Sequence, residues 1–214
     1  MLTVHHLGRS QSERIVWLCE ELGIPYDLMR HERDKATLLS PPALKALHPL
    51  GAAPVIEDGE VLLAESGAVI EYIIARHGGG QLALKPDHPD YPQYLYWLHF
   101  ANGTLQPAMG RMMILARLGL PAGNPVQAAM RGRLERALGL VEARLAGGAA
   151  WMAGAEFTAA DIMIVFTLTT MRSFFPVDLA PRPAIRAYLA RVGARPAYQR
   201  AMAKGDPGMT PLLS

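Results

Sequence analysis

Cysteine is almost missing from this chain: Cys19 is the single one among 214 residues. One thiol cannot close an internal disulfide, and no CxxC or Cys/His ligand spacing occurs. A disulfide scaffold and a zinc site are therefore not expected, and no metal is predicted. No apolar run reaches the roughly 18 residues that a membrane span requires. No long basic run occurs either. The 21 Lys and Arg and the 19 Asp and Glu are spread along the chain and leave a net charge of +2, which argues against a nucleic-acid partner. The opening MLTVHHLGRSQSER has neither the basic start nor the long apolar stretch of a signal peptide. The expectation is a soluble, cytoplasmic protein with no membrane partner. Half of the residues are hydrophobic (50%), too many for a disordered chain.

What the sequence does contain changes character near residue 78. Leu2–Leu7 reads as a strand, Ile15–Leu22 as a helix closed by Gly23, and Tyr26–His31 as a second strand. Pro42–Leu47 forms a short helix. PVIE (54–57) and VLL (61–63) flank Asp58-Gly59, a strong hairpin signal. GAVIEYIIARH (67–77) is a helix that ends at Gly78-Gly79-Gly80. The order is β-α-β-α-β-β-α, with a parallel βαβ start and an antiparallel hairpin. GGGQLALKPDHPDYP (78–92) has turn formers and no period, as in a linker. Beyond it only helices are predicted. Tyr94–Leu118 is split by Pro107. Val126–Leu145 has apolar residues at spacings of three and four. Asp161–Phe175 is the most apolar, and Ala184–Val192 and Pro196–Ala203 are shorter.

Four features bear on chemistry. Ser10 lies between a strand and a helix, where a hydroxyl meets the positive end of the helix dipole. Ser10 with Glu13 also fits an S-x-x-E capping box, so a purely structural role stands beside a chemical one, and Ser12 competes for the latter. Ala53-Pro54 opens a strand, and a cis bond there would turn the backbone of Ala53 toward a ligand. Glu65-Ser66 precedes a helix. Ser66 is an N-cap candidate, and the pair also suits a free amino-acid end, carboxylate on the N–H groups and ammonium on Glu65. Thr158 and Asp161 form a second capping box, with Phe157 and Ile162 as its hydrophobic staple. This segment is read as structural. Cys19 lies nine residues past Ser10, about 13 Å along a helix, among apolar neighbours, and reads as an inert core thiol. His5 and His6 have no evident carboxylate partner and read as structural.

In this order the motifs resemble the glutathione transferases, most closely the bacterial and fungal members with a serine near the first helix. The resemblance is carried by VHHLGRSQSERIVWLCEELGIPYDL, by SPPALKALHPLGAAPVIEDGEVLLAESGAVIEYI and by FTAADIMI, and it spans nearly the whole chain. It implies a thioredoxin-like glutathione-binding domain over residues 1–78, a linker over 79–92 and an all-helical domain over 93–214 that shapes the second substrate's site. It further implies that the Ser10 hydroxyl donates to the glutathione sulfur and that Pro54 is cis. Ala53 would pair by backbone with the cysteinyl part, and Glu65 and Ser66 would hold the γ-glutamyl end. Thr158 and Asp161 would form the family's folding cap.

The activity implied is conjugation of the glutathione thiolate to small hydrophobic electrophiles, with glutathione as co-substrate, no metal, and a homodimer as the assembly. Two rivals accompany it: another glutathione-dependent reaction, such as peroxide reduction, isomerisation or dehalogenation, or a non-catalytic binding module. A serine rather than a cysteine at position 10 argues against disulfide exchange. Ala52 departs from the family's Lys or Gln and removes one expected polar contact. Apolar residues around Ile70–Ile74 and Tyr94–Leu98 suggest a surface for the dimer. Tyr96, Phe100, Met109, Met112, Met113, Phe174 and Phe175 are shared between bundle packing and an apolar substrate cleft.

Overall fold

The computed structural model describes residues 1–214. The chain divides into two compact units. One comprises Met1–Ala83 and Gly193–Pro211; the other comprises Leu84–Val192 and Leu212–Ser214.

The first unit is a four-stranded mixed sheet with helices. Its elements are β1 (Thr3–Leu7), α1 (Glu13–Leu22), β2 (Asp27–His31), α2 (Pro42–Leu47), β3 (Val55–Asp58), β4 (Val61–Ala64) and α3 (Ser66–Arg76). The sheet order is β2-β1-β3-β4. β1 runs parallel to β2 and antiparallel to β3, and β3 and β4 form the hairpin. This is the thioredoxin-like arrangement that the sequence predicts, and the boundaries agree to within one or two residues. Two glycines allow it locally. Gly23 ends α1 at φ +63°, its N–H returning to the Cys19 carbonyl, and Gly59 opens the two-residue turn of the hairpin at φ +62°.

The last long helix of the chain belongs to this unit as well. The sequence-based limits place all of 93–214 in the helical half, but Gly193–Pro211 returns to the first unit. The reason lies in side chains that local periodicity does not reveal. Trp17 of α1 meets Tyr198 edge to face at 4.9 Å. Arg195 grips Glu21 with two bonds of 2.7 Å. Glu20 accepts from Arg200 at 2.9 Å, from Tyr26 at 2.8 Å and from Lys204. Burial raises the Glu20 carboxyl, but these donors outweigh it and hold the group below the ordinary carboxylate range.

The second unit is all helical: α4 (Tyr91–Phe100), α5 (Gln106–Ala116), α6 (Pro125–Ala146), α7 (Ala159–Leu168) and α8 (Pro183–Gly193), the last ending at the boundary. Its first helix begins at Tyr91, inside the stretch expected to be linker. Between α4 and α5 the chain widens into a π-helical turn at Ala101–Leu105. Pro107, in the first turn of α5, cannot donate an N–H into the preceding turn, and the wider coil takes up that interruption. With the apolar α7 buried from end to end, the predicted class holds: a thioredoxin-like domain plus a helical bundle. α9 (Pro196–Gly205) completes the helices.

Ile70, Ile73 and Ile74 are buried, as are Tyr94, Trp97 and Leu98. These residues are consumed within the single chain, so the apolar surplus expected to form a dimer surface is absent there. Tyr96, about half exposed, is the exception.

Candidate glutathione site

The turn between β1 and α1 sets the first group. Ser10 is buried, and its Oγ accepts from the Ser12 N–H at 3.2 Å and lies 2.7 Å from Ser12 Oγ. The predicted Ser10–Glu13 capping box does not form. Ser12 is the N-cap, and the Glu13 N–H bonds the main-chain oxygen of Ser10 at 3.0 Å. The serine turns tightly onto its own second neighbour, so its side chain never reaches the third. The N–H groups of Glu13, Arg14 and Ile15 are all taken by carbonyls of Ser10, Gln11 and Ser12. They are not free to hold an anion, which leaves the hydroxyl and the helix dipole as the local sources of positive potential. Ser12 is fully enclosed. It accepts from the Leu7 N–H at 3.0 Å and contacts His6 Nδ1 at 2.9 Å.

The Ala53–Pro54 bond is cis. Ala53 is buried, and its carbonyl accepts from Gln11 Nε2 at 3.4 Å. Glu65 rather than Ser66 is the N-cap of α3. It is exposed and sits at φ +73°, ψ +112°, without a side-chain cap bond. Ser66, displaced into the first helical position, is buried, and its hydroxyl accepts from Arg14 Nη1 at 3.1 Å. Arg14 also donates to Gln11 Oε1 at 3.2 Å. It is fully enclosed, and desolvation pulls it down to about 9, with Glu13 opposing.

Gln11 and Arg14 thus link the three stretches that sequence reasoning singled out: the Ser10 turn, Ala53-Pro54 and the start of α3. The Gln11 contacts and the Ser66 hydrogen bond of Arg14 had no signal in the sequence, since Q-x-x-R is an ordinary helix-start pattern. The reading of His5 and His6 as lacking a carboxylate partner is also overturned. His5 Nε2 meets Glu57 at 3.0 Å across the β1–β3 pair, and His6 Nε2 lies 3.3 Å from Asp206 Oδ2. Both carboxylates are far away in sequence, beyond any local pattern. No cluster of three or more His, Cys, Asp or Glu side chains could hold a metal ion.

Comparison with known proteins decides the family. Residues 5–81 match the family description "Glutathione S-transferase, N-terminal domain", and residues 124–191 match "Glutathione S-transferase, C-terminal domain". The crystal structure of a glutathione S-transferase from Actinobacillus pleuropneumoniae superposes with a TM-score of 0.87 at 32% identity, over 96% of this chain and 93% of that one. The chain belongs to the glutathione transferase family. Glutathione S-transferase 3 of Schizosaccharomyces pombe is 28% identical over 227 residues, covering 100% of this chain and 92% of the relative. The fold is shared at 24% identity and a TM-score of 0.77 by a Pseudomonas fluorescens family member solved with two glutathione molecules bound.

In this family member the sole thiol lies in the core of the first unit. Cys19 is fully enclosed, and burial together with Glu20 pushes it up to about 12 against a smaller opposing effect of Lys204. Phe100, Met109 and Met112 are buried in the helical unit, while Met113, Phe174 and Phe175 are half-buried. A cleft of about 940 Å³ opens beside Gly8 and Arg9. Arg30, Arg33 and Lys35 line it together with Glu32, Asp206, Leu38 and Met209, so it mixes charges of both signs with apolar groups. No helix is long and apolar enough to cross a membrane.

Proposed function

We propose that this family member is an enzyme that conjugates the glutathione thiolate to small hydrophobic electrophiles. Ser10 is the catalytic residue, Ala53 and Pro54 meet the cysteinyl part, and Glu65 and Ser66 hold the γ-glutamyl end. The observation that carries this reading is the Gln11–Arg14 link, which gathers Ser10, Ala53 and Ser66 at one place on one unit.

The chemistry asked of the protein is modest. A free cysteine-type thiol ionises near 8.5 and is mostly protonated at neutral pH. A hydroxyl donating to the sulfur favours the charged form and lowers that value. The thiolate is already a good nucleophile, so no general base is needed for the addition or substitution that follows. Exposed Glu65 accepts from the ammonium of the γ-glutamyl group, and the buried Ser66 hydroxyl, held by Arg14, faces its carboxylate. Ala52 offers no polar side chain, which weakens the hold on the peptide without touching the sulfur. The homodimer and the cytoplasmic setting belong to the same proposal, and sedimentation at micromolar concentration checks the first. A mass near the 23.3 kDa of one chain would count against it.

The test is Ser10→Ala, with glutathione affinity measured by calorimetry and turnover measured against a panel of electrophiles that includes an activated aryl halide and a carboxylate-bearing acceptor. Turnover should fall much further than affinity. Binding without turnover on any electrophile in the parent would favour the non-catalytic module, and activity confined to peroxides would favour the rival reaction.

A further inference from the structure

Ser10 is the outer end of a line of side chains that runs into the interior. Ser10 Oγ is 2.7 Å from Ser12 Oγ, Ser12 Oγ is 2.9 Å from His6 Nδ1, and His6 Nε2 is 3.3 Å from Asp206 Oδ2. Ser12 and His6 are fully enclosed, and Ser10 and Asp206 are each 7% exposed. The four come from β1, the turn into α1 and the residue that follows α9, all within the first unit. We infer that Ser12, His6 and Asp206 are positioning residues that turn the Ser10 hydroxyl outward, so that its proton is presented to the glutathione sulfur. The inference rests on the role given to Ser10 above.

Proton accounting gives the line a direction. A hydroxyl donates once and accepts up to twice. Ser10 Oγ already accepts from the Ser12 N–H. If it also accepts the Ser12 O–H at 2.7 Å, both lone pairs are engaged and its own proton is left for a ligand. The Ser12 oxygen accepts the Leu7 N–H. With its proton given to Ser10, its contact with His6 requires Nδ1–H. The weaker alternative for that proton is the Leu7 carbonyl at 3.4 Å. On the far side of the ring, Asp206 Oδ2 packs against Nε2 at 3.3 Å and fixes the plane of the imidazole. With a proton on Nδ1, both hydroxyl dipoles point away from the ring, toward the sulfur. A neutral ring protonated only on Nε2 reverses the line. Ser12 would donate to Nδ1, Ser10 would donate to Ser12, and nothing would face the ligand.

Asp206 is itself held in place beside the ring. Asp206 Oδ1 is held by the Arg9 N–H at 2.8 Å. Burial raises the Asp206 carboxyl, but His6, the Arg9 N–H and Arg30 bring it below the ordinary carboxylate range. The other charged or titratable groups on this side are Arg30, opposite His6 in the β1–β2 register, with His31 and Arg33. Asp206 is the carboxylate against the ring.

The experiment uses the full chain and two readouts. The first is thiolate absorbance of the glutathione complex against pH for the parent, Ser12→Ala, Asp206→Asn, Ser10→Ala and each of the first two combined with Ser10→Ala. Ser12→Ala and Asp206→Asn should each raise the thiol pKa by about one, leaving roughly tenfold less thiolate at neutral pH. Neither should add to the effect of Ser10→Ala. An unchanged thiol pKa in both single variants, or equal shifts with and without Ser10, overturns the relay and leaves the conjugation reading intact. The second readout needs no ligand and no substitution. The nitrogen-15 shifts of His6 at neutral pH should report a proton on Nδ1, whereas a ring protonated only at Nε2 overturns the outward direction. If the parent does not depress the thiol pKa, or Ser10→Ala leaves it unaltered, the conjugation reading fails, and the relay to the sulfur fails with it. The nitrogen shifts then tell whether the line itself was misdirected. They also decide the matter should a buried variant not fold.

Discussion

Arg14 Nη1 donates to the Ser66 hydroxyl across 3.1 Å, so a wholly enclosed cation on α1 fixes the first residue of α3. The same guanidinium holds Gln11, whose amide reaches the Ala53 carbonyl. Removing it takes a donor from two groups, the Ser66 hydroxyl and the Gln11 side-chain carbonyl. Arg14→Met should cost about 3 kcal/mol of stability, in the range found when one member of a buried charged network is deleted. Glutathione affinity should fall as well, because Ser66 and Gln11 lose their anchor. Arg14→Lys keeps the charge but not the fork, and should recover only part of each loss. Urea denaturation beside calorimetric titration measures both. Stability equal to the parent in Arg14→Met would mean that the network is not holding the site.

Glu65 joins two properties that can be separated. It is exposed, and it sits at φ +73°, a backbone state costly for any residue with a Cβ. Glu65→Gly should therefore be as stable as the parent or more so, with up to about 1 kcal/mol gained from relieved strain. The same change removes the carboxylate that meets the γ-glutamyl ammonium, so glutathione should bind roughly tenfold more weakly or worse, as expected for a lost charged hydrogen bond. Glu65→Ala should show the affinity loss without the stability gain. Equal affinity in all three proteins would place the γ-glutamyl end elsewhere.

What could be read from the sequence was what short spacing encodes. The β-α-β-α-β-β-α order, the Asp58-Gly59 hairpin and the Thr158/Asp161 box are local patterns, and each is present. The S-x-x-E of Ser10 and Glu13 was equally local and misleading, since a pattern of types does not say which residue will serve as N-cap. The rest depended on distance along the chain. Asp206 against His6, Arg195 against Glu21 and Arg14 against Ser66 pair residues from separate elements, and nothing in one stretch announces the other. The return of α9 to the sheet unit has the same origin, because its amphipathic pattern shows that one face is buried but not against what.

The single thiol should be silent. Cys19 is fully enclosed and pushed up to about 12, so at pH 8 only about one in ten thousand molecules would carry the thiolate. A thiol-specific chromogenic reagent should label none of the native protein and one equivalent in denaturant. Alkylating reagents should leave turnover unaffected. Rapid labelling of the native chain would show that α1 and α9 open readily at this point.

Asp161 carries the strongest pH dependence within the helical unit. Its carboxylate accepts from the Met152 N–H at 2.8 Å, the Thr158 N–H at 2.9 Å and the Tyr188 hydroxyl at 3.0 Å. Complete burial outweighs these donors and raises the group to about 6. The folded chain therefore keeps a proton that the unfolded chain releases near 3.9. The stability this proton contributes is full below about pH 3.9 and is lost as pH rises through about 6, a change of about 3 kcal/mol. Asp161→Asn cannot titrate. Relative to the parent it should be least stable near pH 4, and the gap should narrow toward pH 7. Asp161→Ala removes the cap and orphans two further donors, so it should lose at least 2 kcal/mol at every pH. Turnover of the folded fraction should be retained, since the hydrogen-bond partners of Asp161 all lie in the helical unit and none belongs to the glutathione site. Urea midpoints for the three proteins between pH 4 and pH 7 provide the measurement. A gap between parent and Asp161→Asn that widens with pH would mean that the three donors prevail over burial and that the carboxylate, not the acid, is the folded form.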